Sequence, residues 1–167
     1  MTNHPHTLDS LAAADTARLT EILLEVCSSP RWAAAVADAG PWPDREALLA
    51  ANAAAMASLT AEDLRDAMAC HARIGEPIAG DAASEREQAG IHGVDQAVLD
   101  ELHEANAAYE AKFGHVFLIC ATGRTAVGML AALRERHPND AATEAETVRG
   151  ELRKINDIRL DRLLGHS

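Results

Sequence analysis

Residues 95–114, DQAVLDELHEANAAYEAKFG, decide the fold class. Val98, Leu102, Ala105, Tyr109 and Phe113 recur at three- and four-residue spacing, so they share one face of a helix, and Gly114 supplies its stop. The run that follows, Val116-Phe117-Leu118-Ile119-Cys120, is rich in strand formers but too short to found a sheet. Thr122-Gly123-Arg124-Thr125 then reads as a turn that opens another helix, Ala126 to Arg136, ended by His137-Pro138. This stretch predicts an all-α chain.

The same punctuation continues outward. Asp15 caps a helix carrying Leu19, Ile22, Leu23 and Val26 on one face. Ser29-Pro30 restarts the chain, Gly40-Pro41 stops it, and Asp44 precedes an alanine-rich helix from Arg45 to Ser58. Thr60 with Asp63 resembles a capping box and opens a helix that runs toward Cys70-His71. His71 is thus expected at or just past a helix C-terminus. Arg73 to Ala83, RIGEPIAGDAA, reads as a loop. Ser84-Glu85-Arg86-Glu87 fits Ser-x-x-Glu and is expected to start a helix through Gln88 and Ala89. The last helix runs from near Ala141 toward Leu164, with Val148, Leu152, Ile155 and Leu163 as its apolar stripe. Arg159 lies on that same face, where a guanidinium is either snorkelling or paired with something buried. No repeat or break in composition divides the chain, so residues 1–167 are expected to form a single domain behind a flexible segment, 1–8.

Composition excludes several functions. The 15 Lys+Arg against 26 Asp+Glu leave a net charge of −11, which argues against sequence-independent nucleic-acid binding and against anionic membranes. Apolar residues make up 48% of the chain, yet only five are aromatic and much of the rest is alanine, a balance that suits close-packed helices better than a β-sandwich or barrel. Cys27, Cys70 and Cys120 form no C-x-x-C pair, so neither a disulfide scaffold nor a thiolate zinc site is signalled, and a reducing compartment is expected. No apolar run is long enough for a membrane span and MTNHPHTLDS is no signal peptide, so the expected location is the cytoplasm.

Eight histidines invite a metal reading, but His92, His103 and His115 stand 11 and 12 apart, with no H-E-x-x-H pattern, so no metal is expected. On local grounds alone His71 is a helix-terminal histidine, Glu87 the reciprocal partner of a Ser84 cap, and Arg159 the partner of a structural carboxylate. Taken as a set they say more. Ser29-Pro30-Arg31-Trp32, His71-Ala72-Arg73-Ile74-Gly75 and Ser84-Glu85-Arg86-Glu87-Gln88-Ala89-Gly90 are followed by residues 106–120, NAAYEAKFGHVFLIC. Then come Ala121-Thr122-Gly123-Arg124, Glu151-Leu152-Arg153-Lys154-Ile155 and Ile158-Arg159-Leu160. In these blocks, in this order over most of its length, the sequence resembles the 2-oxo-4-hydroxy-4-carboxy-5-ureidoimidazoline (OHCU) decarboxylases, particularly their short actinobacterial form. One position departs from the family pattern: Ala72 stands where the family usually has proline, which loosens the backbone restriction beside His71.

The resemblance implies an all-α bundle of the OHCU decarboxylase type, a homodimer, working without metal or organic cofactor. It implies decarboxylation of OHCU to (S)-allantoin and CO2 in urate degradation. By the same resemblance His71 is the proton donor and Glu87 the second catalytic group, orienting the histidine or a substrate hydroxyl. A helix C-terminus suits a cationic imidazole and a helix N-terminus suits a carboxylate. Ala72, Ser84, Gln88, Ile119, Cys120, Ala121, Thr122, Gly123 and Arg159 correspond to substrate-binding positions, with the arginine as a fork for the substrate carboxylate. Two other readings stay open: a non-enzymatic helical interaction domain, and a family member with an altered substrate.

Overall fold

In a computed structural model, which describes residues 4–166, the regular structure is nine α-helices and one 3-10 turn, with no strand among the described residues. The chain divides into two units, one made of the residues up to Cys70 together with those from Leu152 onward, the other of His71–Glu151.

The first unit begins earlier than expected. Leu8, assigned from sequence to a flexible segment, is the first residue of α1 (Leu8–Ala13), because Thr7 and Ser10 form a reciprocal capping box. The His6 N–H donates to the Leu163 carbonyl at 2.8 Å; residues 1–3 of the expected flexible segment lie outside the described residues. The next four helices start where the sequence places them. Asp15 caps α2 (Thr16–Val26), Ser29 caps α3 (Pro30–Asp38), Asp44 caps α4 (Arg45–Ser58), and Thr60 with Asp63 boxes α5 (Ala61–Met68). The Thr60 N–H and hydroxyl hold the Asp63 carboxyl below its usual range, as a cap should. Helix α3 packs against α2, α4 and α5. Its Trp32 is fully buried and donates from Nε1 to Asn52 Oδ1 at 2.8 Å. Asn52 in turn donates to the Arg153 carbonyl and to Asp157, so a buried amide is answered on both sides.

The second unit contains α6 (Ala82–Glu87), the 3-10 turn Ala89–Ile91, α7 (Gln96–Phe113) and α8 (Ala126–Arg136). The final helix, α9 (Ala141–Leu163), contributes residues to Glu151 here and from Leu152 to the first unit. Gly114 ends α7 in the left-handed region at φ 76°, a conformation that costs a glycine nothing. Helices α7 and α8 pack together, and Leu102, Tyr109, Phe117, Ile119, Met129 and Leu133 belong to one buried cluster. The run Val116–Cys120 contributes Phe117 and Ile119 to this cluster and makes no strand pairing. Its backbone groups find side chains instead: Arg136 donates to the Leu118 carbonyl at 2.9 Å, and the Cys120 N–H donates to Glu151 at 2.8 Å. Arg136 also pairs with the fully buried Glu144, and Tyr109 donates to Glu144 Oε1 at 2.6 Å. Burial pushes the Glu144 carboxyl up, but the bonds from Arg136, Tyr109 and Asn139 outweigh it and hold the group below its usual value. Burial and the hydrogen bond to Glu144 both raise Tyr109, which stays protonated and donating.

Candidate active site

His71 follows α5 by three residues, as its sequence position requires, and opens the irregular segment 71–81. It is half-buried, and its Nε2 is buried with no hydrogen-bond partner among the described residues. A buried imidazole nitrogen without a partner is costly in a resting fold and is a natural place for a ligand to supply one.

The residues around His71 differ from the sequence reading in one respect. Ser84 is not the cap of α6. Asp81 is, its carboxylate accepting from the Ala83 N–H, and Ser84 is the third residue of the helix. The Ser84 hydroxyl instead accepts from the Ile78 N–H at 2.8 Å, a loop donor that a purely local pattern does not register. Two consequences follow. Glu87 is the last residue of a six-residue helix rather than part of its first turn, so the expected support from a helix N-terminus is absent. Gln88 is the C-cap, outside the helix, not within it.

Gln88 is buried and grips the loop from both ends of its carboxamide: Oε1 accepts from the Gly75 N–H at 2.9 Å and Nε2 donates to the Arg73 carbonyl at 3.2 Å. Ser84 and Gln88 therefore tie the loop that begins at His71 to the helix that ends at Glu87. Glu87 is half-buried there. A third segment joins them at Gly90. A Cβ built on Gly90 would stand 1.9 Å from the Arg124 carbonyl oxygen, so only glycine permits this approach to the 121–125 turn. In that turn Ile119, Cys120 and Ala121 are buried, whereas Thr122 and Gly123 are exposed. The Cys120 carbonyl accepts from Arg124 Nε at 3.1 Å, and with its N–H on Glu151 the Cys120 backbone is committed to the fold.

Arg159 belongs to the first unit. It is half-buried, donates from Nη1 to the Val26 carbonyl at 3.0 Å, and has the Cys70 sulfur 3.8 Å from the same nitrogen. The described residues thus bring together His71, Ala72, Ser84, Glu87, Gln88 and the 119–123 stretch within one unit and place Arg159 in the other. Among them no group of three or more His, Cys, Asp or Glu side chains is gathered to hold a metal ion. Sequence reading missed the residues that carry the loop, Asn106 and Glu110 on α7 and Arg73 itself. For Asn106 and Glu110 only their four-residue spacing on α7 could have signalled them.

Fold and site together define an all-helical chain whose second unit sets a histidine loop beside an acidic helix end, an arrangement suited to acid–base work on a small molecule. The particular family follows from comparison with known proteins. The OHCU decarboxylase family model matches residues 12–161, and the chain belongs to that family. It is similar to the uric acid degradation bifunctional protein TTL of Arabidopsis thaliana, 35% identical over 144 residues that cover 82% of this chain and 44% of that protein. It is also similar to the 2-oxo-4-hydroxy-4-carboxy-5-ureidoimidazoline decarboxylase of Amia calva, 30% identical over 52% of this chain and 50% of that one. The matched regions thus span about half the length of these curated relatives, or less. Among solved structures, a crystal structure of OHCU decarboxylase in the presence of (S)-allantoin superposes with a TM-score of 0.74. It is 29% identical, covering 91% of this chain and 99% of that one. A crystal structure of (S)-allantoin synthase, at 18% identity and a TM-score of 0.73, shares the fold. No helix among the described residues is long and apolar enough to cross a membrane.

Proposed function

We propose that this chain decarboxylates OHCU to (S)-allantoin and CO2, a step of urate degradation, without a metal or organic cofactor. The observation that carries the reading is the His71 loop, with its unpartnered buried Nε2, tied by Ser84 and Gln88 to the helix that ends in Glu87. The family match and the similarity to a decarboxylase crystallised with (S)-allantoin support the substrate.

The chemistry asks little of the protein beyond placement. The substrate carboxylate leaves as CO2, the electron pair of the broken C–C bond passes to the neighbouring ring imine, and a proton delivered to one face completes a single enantiomer. His71 supplies that proton, and Glu87 orients the histidine or the substrate hydroxyl. Ser84 retains its O–H to donate, and Gln88 retains one N–H and one lone pair for the ureido edge beyond those it spends on the loop. Ala72 borders the histidine, the 119–123 stretch offers its exposed Thr122-Gly123 end, and Arg159 binds the substrate carboxylate.

The family match runs through both units, which supports one working domain, and three cysteines outside any disulfide fit a reducing cytoplasm. The resemblance supports a homodimer.

Optical activity followed as fresh OHCU is consumed tests the proposal, because the substrate also decays unaided to racemic allantoin. The protein should yield one enantiomer faster than that decay; racemic product at the uncatalysed rate overturns the reading. Arg159→Lys should lose on the order of tenfold or more in kcat/KM with little change in Tm, since a point charge does not replace a planar fork. Unchanged kinetics would remove Arg159 from the site.

A further inference from the structure

No hydrogen bond to the His71 ring is present among the described residues, and its Nε2 is buried without a partner. The aim of the imidazole is therefore set by the backbone that carries it. That backbone is not part of a helix, so something else must hold it. Gln88 holds one side. On the other side, α7 presents His103, Asn106 and Glu110 at three- and four-residue spacing, one stripe of the helix. Each of the three takes hold of the loop. Asn106 is buried and donates from Nδ2 to the Ile74 carbonyl at 2.8 Å. Glu110 receives Arg73 as a bidentate fork, Nε to Oε1 at 2.7 Å and Nη2 to Oε2 at 2.8 Å. His103 Nδ1 stands 3.1 Å from Glu76, whose other oxygen is 3.4 Å from Arg73 Nη1. The fork and the charge of Glu110 raise the Arg73 pKa further above its already high value, so the guanidinium keeps its charge.

We infer that Asn106 and Glu110 are positioning residues for His71, acting through the Ile74 carbonyl and the Arg73 guanidinium to fix the loop on α7. The inference rests on His71 being the proton donor proposed above. It assigns a function to two α7 residues that do not touch the reacting atoms. The Arg73 side chain is 37% exposed and that of Glu110 23%, so the fork contributes more to geometry than to stability. Alanine at 72 leaves φ unrestricted beside the histidine, which makes the loop depend on these side chains.

The test compares wild type, Glu110→Gln, and Glu110→Gln combined with Ala72→Pro. Glu110→Gln breaks one charged half of the fork at constant shape. It should lower kcat on the order of tenfold to a hundredfold, the loss a misplaced catalytic group causes, with KM nearly unchanged and Tm close to wild type. Amide exchange in residues 71–78 should rise while that of α7 does not. Proline at 72 restricts the backbone directly and should return part of the lost kcat. An active wild type with an unaffected kcat in Glu110→Gln overturns the inference alone. A fall in kcat that tracks Tm, with no gain from proline, overturns it as well by showing a merely structural role. A wild type that makes no (S)-allantoin overturns the functional reading, and the inference with it.

Discussion

The second unit contains two irregular segments that solve the same problem in opposite ways. Residues 116–121 are mostly buried, and their backbone is answered by side chains that can carry charge, Arg136 on the Leu118 carbonyl and Glu151 on the Cys120 N–H. Residues 71–78 are mostly half-exposed, and their backbone is answered chiefly by neutral groups, Gln88, Asn106 and the Ser84 hydroxyl. Charged hydrogen bonds in a dry interior are strong when made and severe when broken. Neutral hydrogen bonds cost less to break than charged ones, because no charge is left without its partner. The buried segment is therefore built as frame, and the loop as a part that can be adjusted. Stability and activity should separate along this line.

The largest expected effect is on the frame. Glu144→Gln leaves the Arg136 guanidinium buried without its counter-charge, which should cost about 3 kcal/mol and lower Tm by roughly 10 °C. The kcat of the protein that remains folded should change little. A pH series sharpens the point. Because the folded state holds the Glu144 carboxyl below its ordinary 4.5, its contribution is complete above that pH and is lost as pH falls through the lower folded value. Thermal scans between neutral pH and acid should show a shallower acid loss in Glu144→Gln than in wild type. A parallel loss would place the acid sensitivity elsewhere.

Gly90→Ala comes next and falls where the segment after α6 meets the 121–125 turn. Its new Cβ would meet the Arg124 carbonyl at 1.9 Å, a backbone atom that cannot rotate away, so either the 121–125 turn or the segment after Glu87 must move. Overpacking of this kind costs about 1–3 kcal/mol. Activity should fall by more than the loss of folded protein explains, because Glu87 and the turn no longer keep their relative position. If kcat per folded molecule is unchanged, the close approach is a packing detail and the two segments work independently.

The helix boundaries were legible because they are decided locally. Asp15, Ser29-Pro30, Asp44 and Thr125 each cap the helix they precede, and Gly114 stops α7, all from groups within one turn. The same local logic misplaced the start of α6. Ser84-x-x-Glu87 satisfies the pattern, but the Ile78 N–H competes for the Ser84 hydroxyl and leaves the cap to Asp81. α1 escaped notice because Ser10, not Glu or Gln, completes its box with Thr7. The grip on the loop was invisible for a different reason: Asn106 and Glu110 meet their partners 32 and 37 residues away in sequence, and Arg159 meets the Val26 carbonyl 133 away. Residue types showed which side chains could carry chemistry, whereas their partners depend on how distant segments meet.

Ser84→Ala should have the smallest effect, and it bears most directly on the contrast between frame and loop. It removes a single neutral hydrogen bond, to the Ile78 N–H, at the far end of the loop from His71. The expected stability cost is about 1 kcal/mol, a Tm decrease of roughly 2–4 °C, well below that of Glu144→Gln. Because Ser84 also offers its hydroxyl proton to the substrate in the reading above, KM should rise while kcat changes less. The two readouts come from the same oxygen but report different partners, the loop amide through Tm and the substrate through KM. If Tm falls as far as in Glu144→Gln, the loop is frame too, and the division between the two segments fails. If KM is unmoved while Tm drops slightly, Ser84 serves only to hold the loop, and the substrate must find its donor elsewhere on α6.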